Sequence, residues 1–141
     1  MELCKRNGIS AQTGLFQINY DDTREAVLEN LIGEGFAIDS DTGAWLKMVP
    51  TDNYLVESVE LEFSPADSTL AAWTIIYFPP DDEDIEEIVV DALASWHGWD
   101  YEYDEYFEEY YWDLGNDRAV FAFYDYEYTA FIVQYTGPKA E

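Results

Sequence analysis

Between Thr51 and Asp117 the chain carries 20 Asp or Glu residues and not one Lys or Arg. Any helix or strand in this stretch must bury its apolar side while its polar side stays negative, with no local cation to offset the repulsion. The flanks differ. Residues 1–50 hold 8 acids and 4 bases, and residues 118–141 hold 3 acids and 2 bases. Most of the formal net charge of −25 therefore sits in the middle of the chain. A surface serving only solubility mixes both signs; a surface of one sign repels itself. With 48% hydrophobic and 18% aromatic residues, the chain is far from a disordered acidic tail, which lacks aromatics. Its 141 residues fit a single acidic domain, 1–141. The charge also argues against direct binding of nucleic acid or anionic lipid, since both would be repelled. No apolar run approaches the roughly 18 residues of a membrane span. The start Met1-Glu2-Leu3-Cys4-Lys5-Arg6 lacks the apolar stretch of a signal peptide. The expected location is the cytoplasm.

Periodicity places the elements. Leu15–Tyr20 alternates like a strand. Asp22-Thr23-Arg24-Glu25 reads as a helix start with Asp22 as N-cap and Glu25 at the capping-box position, and Gly33 and Gly35 end that helix. Phe36–Ile38 and Ala44–Val49 read as a hairpin around Asp39–Gly43. Val59-Glu60-Leu61-Glu62-Phe63 alternates strictly, with one buried and one acidic face, and a phase break predicts a bulge near Ser58. The apolar run Leu70–Phe78 predicts a central strand, stopped by Pro79-Pro80. Asp81-Asp82-Glu83-Asp84 precedes a second helix whose Ile85, Ile88, Val89, Ala92, Leu93 and Trp96 share a face; acids suit a helix N-terminus. Trp99–Tyr103 alternates, but Tyr103, Phe107, Tyr110 and Leu114 then fall at helical spacing, which predicts a short helix over about Glu102–Leu114. A hairpin follows, Ala119–Tyr124 with Tyr128–Tyr135. The expected fold is α+β: an antiparallel or mixed sheet with two to three helices packed on it. Strand, acidic cap, helix, Gly and aromatic recur at 15–36 and 70–99, the pattern of two β-α-β-β-like halves.

Reactive constellations are scarce. His97 is the single histidine and Cys4 the single cysteine, so there is no Cys-based zinc site and no disulfide framework. No phosphate loop, nucleophile elbow or HExxH pattern occurs. Asp39-x-Asp41-x-Gly43 begins like a calcium loop, but Gly comes one position early and Pro50 stands where the twelfth-position Glu belongs. The expectation is a protein with no catalytic residues, no metal site and no cofactor.

The acids themselves are the candidate binding surface: Asp81, Asp82, Glu83, Asp84, Glu86, Glu87, Asp100, Glu102, Asp104, Glu105, Glu108, Glu109 and Asp113, with Tyr110 and Tyr111 among them. On a strand Glu60 and Glu62 lie about 6.7 Å apart. On the expected helix Asp104 with Glu108, and Glu105 with Glu109, would be neighbours at about 6 Å. Both resemble the spacing of consecutive phosphates. A domain of this length is roughly 37 Å across, and duplex of that length carries about 22 phosphates, close to the acid count of the base-free stretch.

The base-free stretch 51–117, the run Asp81-Asp82-Glu83-Asp84 and the Asp/Glu/Tyr-rich Asp100–Asp113 resemble the small acidic DNA-mimic inhibitors of phages and mobile elements. These include anti-restriction proteins and some anti-CRISPR proteins. That class spans many folds and transfers no residue by position. The resemblance implies host-defence evasion: a protein–protein interaction in which the chain fills the basic DNA- or RNA-binding channel of a defence nuclease complex and blocks substrate. Three other uses of the same charge stay open: an immunity protein neutralising a nuclease toxin, a chaperone for basic proteins, and an acidic halophilic domain without mimicry. The partner and the oligomeric state, a homodimer included, stay open as well.

Overall fold

Alternation of apolar and polar residues recurs in much of the chain after Phe36, and strands are the main result. The computed structural model describes residues 9–10, 14–15, 18–51, 56–77, 84–127 and 130–137. Two short strands, β1 (Ile9–Ser10) and β2 (Gly14–Leu15), pair with each other. Helix α1 (Arg24–Gly33) follows, then β3 (Phe36–Asp41), β4 (Trp45–Pro50), β5 (Val56–Phe63) and β6 (Leu70–Tyr77). Helix α2 (Asp84–His97) leads to β7 (Glu102–Asp104), β8 (Glu109–Gly115), β9 (Arg118–Asp125) and β10 (Ala130–Thr136). Strands β3 to β10 form one eight-stranded sheet in the order β3-β4-β5-β6-β10-β9-β8-β7. Every neighbouring pair in it is antiparallel.

The topology has an internal repeat. Each half is a helix followed by a four-strand meander, and the two meanders join through their last strands, β6 and β10. Cross-strand registers line up the buried face. Leu46 pairs with Leu61, Leu61 with Trp73, Trp73 with Tyr135, Tyr135 with Val120 and Val120 with Trp112. All six are buried. A second row runs Met48, Val59, Ile75, Val133, Ala122, also buried. Burial of each large apolar side chain contributes about 1.5–3 kcal/mol, and these rows cross the junction between the halves. Val27 and Leu31 of α1, and Val89, Val90, Leu93 and Ala94 of α2, belong to the same cluster.

The expected architecture of a sheet with two to three helices packed on it, in β-α-β-β-like halves, is corrected by this arrangement. The molecule is mostly an eight-stranded antiparallel sheet with only two helices among the described residues, and α1 is short at 10 residues. The third helix, expected over Glu102–Leu114, is instead the β7–β8 hairpin. The reason is local. The Asp104 Oδ1 accepts the N–H of Tyr106 at 2.9 Å and of Phe107 at 3.2 Å, which closes an Asx turn. Glu108 then adopts a left-handed φ of 54°. The turn inserts residues between two alternating runs, so Tyr103 and Phe107 fall four apart without sharing a helix face. Tyr and Trp favour the pleated alternative.

Smaller differences have similar causes. Of the strand expected over Leu15–Tyr20, Leu15 lies in β2, residues 16–17 lie outside the described residues, and Ile18 to Tyr20 lead into a turn in which Asp21 has φ 71°. The N-cap of α1 is Thr23 rather than Asp22: its Oγ1 accepts the Ala26 N–H at 3.2 Å. Asp22 instead accepts the Asn19 N–H at 2.9 Å. The expected slip at Ser58 is present, between Val56 and Ser58. Strand β6 is central in the sheet, as its apolar run predicts.

Candidate functional site

The β7–β8 hairpin lies at one edge of the sheet, β7 being its outermost strand. Registers assign its two faces. Tyr103 pairs with Tyr110, on the face continued inward by buried Ala122. Glu102 pairs with Tyr111 and Asp104 with Glu109, on the opposite face. An open groove of about 780 Å³ is lined by Glu102, Tyr103, Asp104, Glu105, Tyr106, Glu109 and Tyr111.

The carboxylates gather around tyrosines. Tyr126, from the β9–β10 turn, donates its hydroxyl to Glu108 Oε2 at 2.8 Å. Tyr110 donates to Glu86 Oε2 of α2 at 3.3 Å. Burial and the negative Glu86 push the Tyr110 phenol up to about 12. Tyr103 is held above the usual phenol range by partial desolvation and by Glu108, Glu86, Glu105 and Asp104. Tyr126 is raised chiefly by its hydrogen bond to Glu108. Desolvation and then the facing Asp104 raise Glu109 above the ordinary carboxylate range. Four acids, Glu86, Asp104, Glu105 and Glu108, thus act together on Tyr103, while Glu109 feels Asp104 across the strand pair.

No described cation relieves it. The two ion pairs among the described residues lie elsewhere: Arg24 with Asp41, and Arg118 with Asp21 at 2.8 Å. Nor are the rings covered. Tyr106 is 87% exposed, Phe107 68%, Tyr126 69% and Tyr103 45%. Tyr106 and Phe107 meet edge to face at the hairpin tip, with centroids 4.8 Å apart. Exposed aromatics of this size are expensive to leave in water and mark contact surfaces.

Of the sequence candidates, Glu86, Asp104, Glu105 and Glu108 act together on Tyr103, Glu109 faces Asp104, and Glu102 lines the groove with Asp104, Glu105 and Glu109. Tyr110 and Tyr111 are half-buried on opposite faces of β8, so only Tyr111 reaches the groove. Glu87 is exposed in the first turns of α2, and Asp84 is its first residue. Asp100 is exposed just before β7. Asp113 stands toward the far end of β8, where its Oδ1 accepts the Gly115 N–H at 2.9 Å. Asp81, Asp82 and Glu83 lie outside the described residues. Sequence reading missed Tyr103, Tyr106, Phe107 and Tyr126. The available signal was Asp104, an Asx-turn former two residues before an aromatic pair.

Among the described residues no group of three or more His, Cys, Asp or Glu side chains is disposed to hold a metal ion. The His97 ring is hydrogen-bonded through Nε2 to the Tyr135 hydroxyl at 2.8 Å, and burial pulls its pKa below the ordinary imidazole value. No described helix is long and apolar enough to cross a membrane. No protein-family model, curated protein or solved structure matches the chain.

Proposed function

We propose that the protein is a non-enzymatic inhibitor that occupies the basic nucleic-acid-binding channel of a host defence nuclease complex, in the cytoplasm, and excludes DNA or RNA from it. One observation carries the reading. The edge hairpin carries Glu102, Asp104, Glu105, Glu108 and Glu109 with no described base among them, and Glu108, like Glu86 of α2, is held by a tyrosine hydroxyl. Anions fixed on a strand pair avoid the ordering cost of a flexible acidic tail, and their field would speed encounter with a basic partner. A second reading, an immunity protein against a nuclease toxin, is favoured by the uncovered Tyr106 and Phe107, which suit an inhibitor with aromatic anchors. Both readings use the same surface on the same kind of partner.

The test is capture from host lysate on immobilised protein and on the E105K/E108K/E109K variant. Basic nucleic-acid-binding proteins should be retained by the first, released by duplex DNA, and absent from the second, with circular dichroism unchanged. Equal retention of the same proteins by the variant would overturn the assignment of this hairpin.

A further inference from the structure

The protein already contains one complete arginine-binding arrangement. Arg118 places its guanidinium carbon 4.4 Å from the centre of the Tyr20 ring, while its Nη2 donates to both carboxylate oxygens of Asp21 at 2.8 Å. A planar cation lies on an aromatic face and is gripped at its rim by a carboxylate. The hairpin tip offers the same two components with no arginine of its own. Tyr106, Phe107 and Tyr126 present open rings. Glu105 and Glu108 lie beside them in the turn, and Asp104 faces Glu109 across the strand pair.

We infer that this tip selects arginine over lysine: its open rings take guanidinium groups of the partner, and its carboxylates hold their N–H rims. The inference rests on the basic-partner reading above and names the side chain that partner would present. Three physical points support it. Like charges directly opposite on paired strands destabilise each other, so Asp104 and Glu109 gain from any cation placed between them. Guanidinium is planar, weakly hydrated and forked, so it stacks on a ring and bonds a carboxylate at once; ammonium is compact and strongly hydrated, and loses more on leaving water. The groove is open, with room for a side chain to enter beside Tyr106. Lysine would still be attracted by the field, but without the stacking contribution.

The experiment uses fluorescent ten-residue peptides of arginine or of lysine, titrated by anisotropy at moderate salt. The wild-type chain, Y106A/F107A and E105K/E108K/E109K are compared. Two stacked guanidinium groups favour the arginine peptide by about tenfold. Y106A/F107A should bring arginine binding down to the lysine value and leave lysine binding unchanged. Both substituted residues are exposed in a turn, and an unchanged thermal midpoint checks that the fold is intact. Equal binding of the two peptides by wild type, or an arginine preference that survives Y106A/F107A, overturns the inference alone. Failure of both peptides to bind, or lysine binding untouched by the triple reversal, overturns the basic-partner reading beneath it.

Discussion

Two tyrosines on neighbouring central strands should respond in opposite directions to loss of the same oxygen atom. Tyr77 of β6 is fully buried, and its hydroxyl has no hydrogen-bond partner among the described residues. Burial also drives its ionisation far out of the usual phenol range. An unsatisfied buried polar group costs about 1–3 kcal/mol. Tyr77→Phe removes that cost and leaves a void of roughly 10 Å³, worth about 0.2 kcal/mol at about 24 cal/mol per Å³. The net expectation is about 0.8–2.8 kcal/mol of added stability. For a chain of 141 residues the unfolding entropy is about 0.3 kcal/mol per kelvin, so the melting midpoint should rise by about 3–9 °C. Tyr135 of β10 is also buried, but its hydroxyl bonds His97 Nε2 at 2.8 Å. Tyr135→Phe leaves that ring nitrogen unpaired and should lower the midpoint by a similar amount. Calorimetry of the two variants reads both shifts. A Tyr77→Phe midpoint that is unchanged or lower would refute the reasoning, because the hydroxyl would then have a partner the buried row does not provide.

Two further outcomes follow from the same core. His97 is held below the ordinary imidazole pKa by burial, so its neutral form favours the fold above the unfolded value of about 6.5 and that contribution is lost as pH falls toward the folded value. The urea midpoint should therefore fall between pH 7 and about 5.5 in wild type, and a His97→Gln chain should show a flatter profile. Gly137 lies so close to β6 that an added Cβ would stand 2.7 Å from the Ala71 carbonyl oxygen. Gly137→Ala should cost about 1–3 kcal/mol by urea denaturation, and an unchanged midpoint would mean the end of β10 shifts freely.

Much of the strand set was legible because one face of each strand is buried. Val59–Phe63 alternates in sequence and in the sheet, Leu70–Tyr77 is central, and the β9–β10 hairpin falls where its aromatic alternation places it. The pairing of β6 with β10 was not legible, because it depends on residues such as Ile75 and Val133 meeting across most of the second half of the chain. The acids of the site could be read from composition, but their neighbours could not. Misreading the Asp104 turn as helix put Tyr103 and Phe107 on one helix face with Tyr110 and Leu114, whereas the hairpin exposes both rings. One hydrogen-bonding side chain therefore decided both the count of helices and the character of the site.

The central claim is that the edge hairpin competes with a polynucleotide for a basic surface. The most direct measurement is the affinity of the purified captured partner for this chain, titrated against duplex DNA at several salt concentrations. Mutually exclusive binding, weakening as salt rises and lost in E105K/E108K/E109K, is the predicted result. A ternary complex containing both DNA and this chain, with an affinity indifferent to salt, would contradict it.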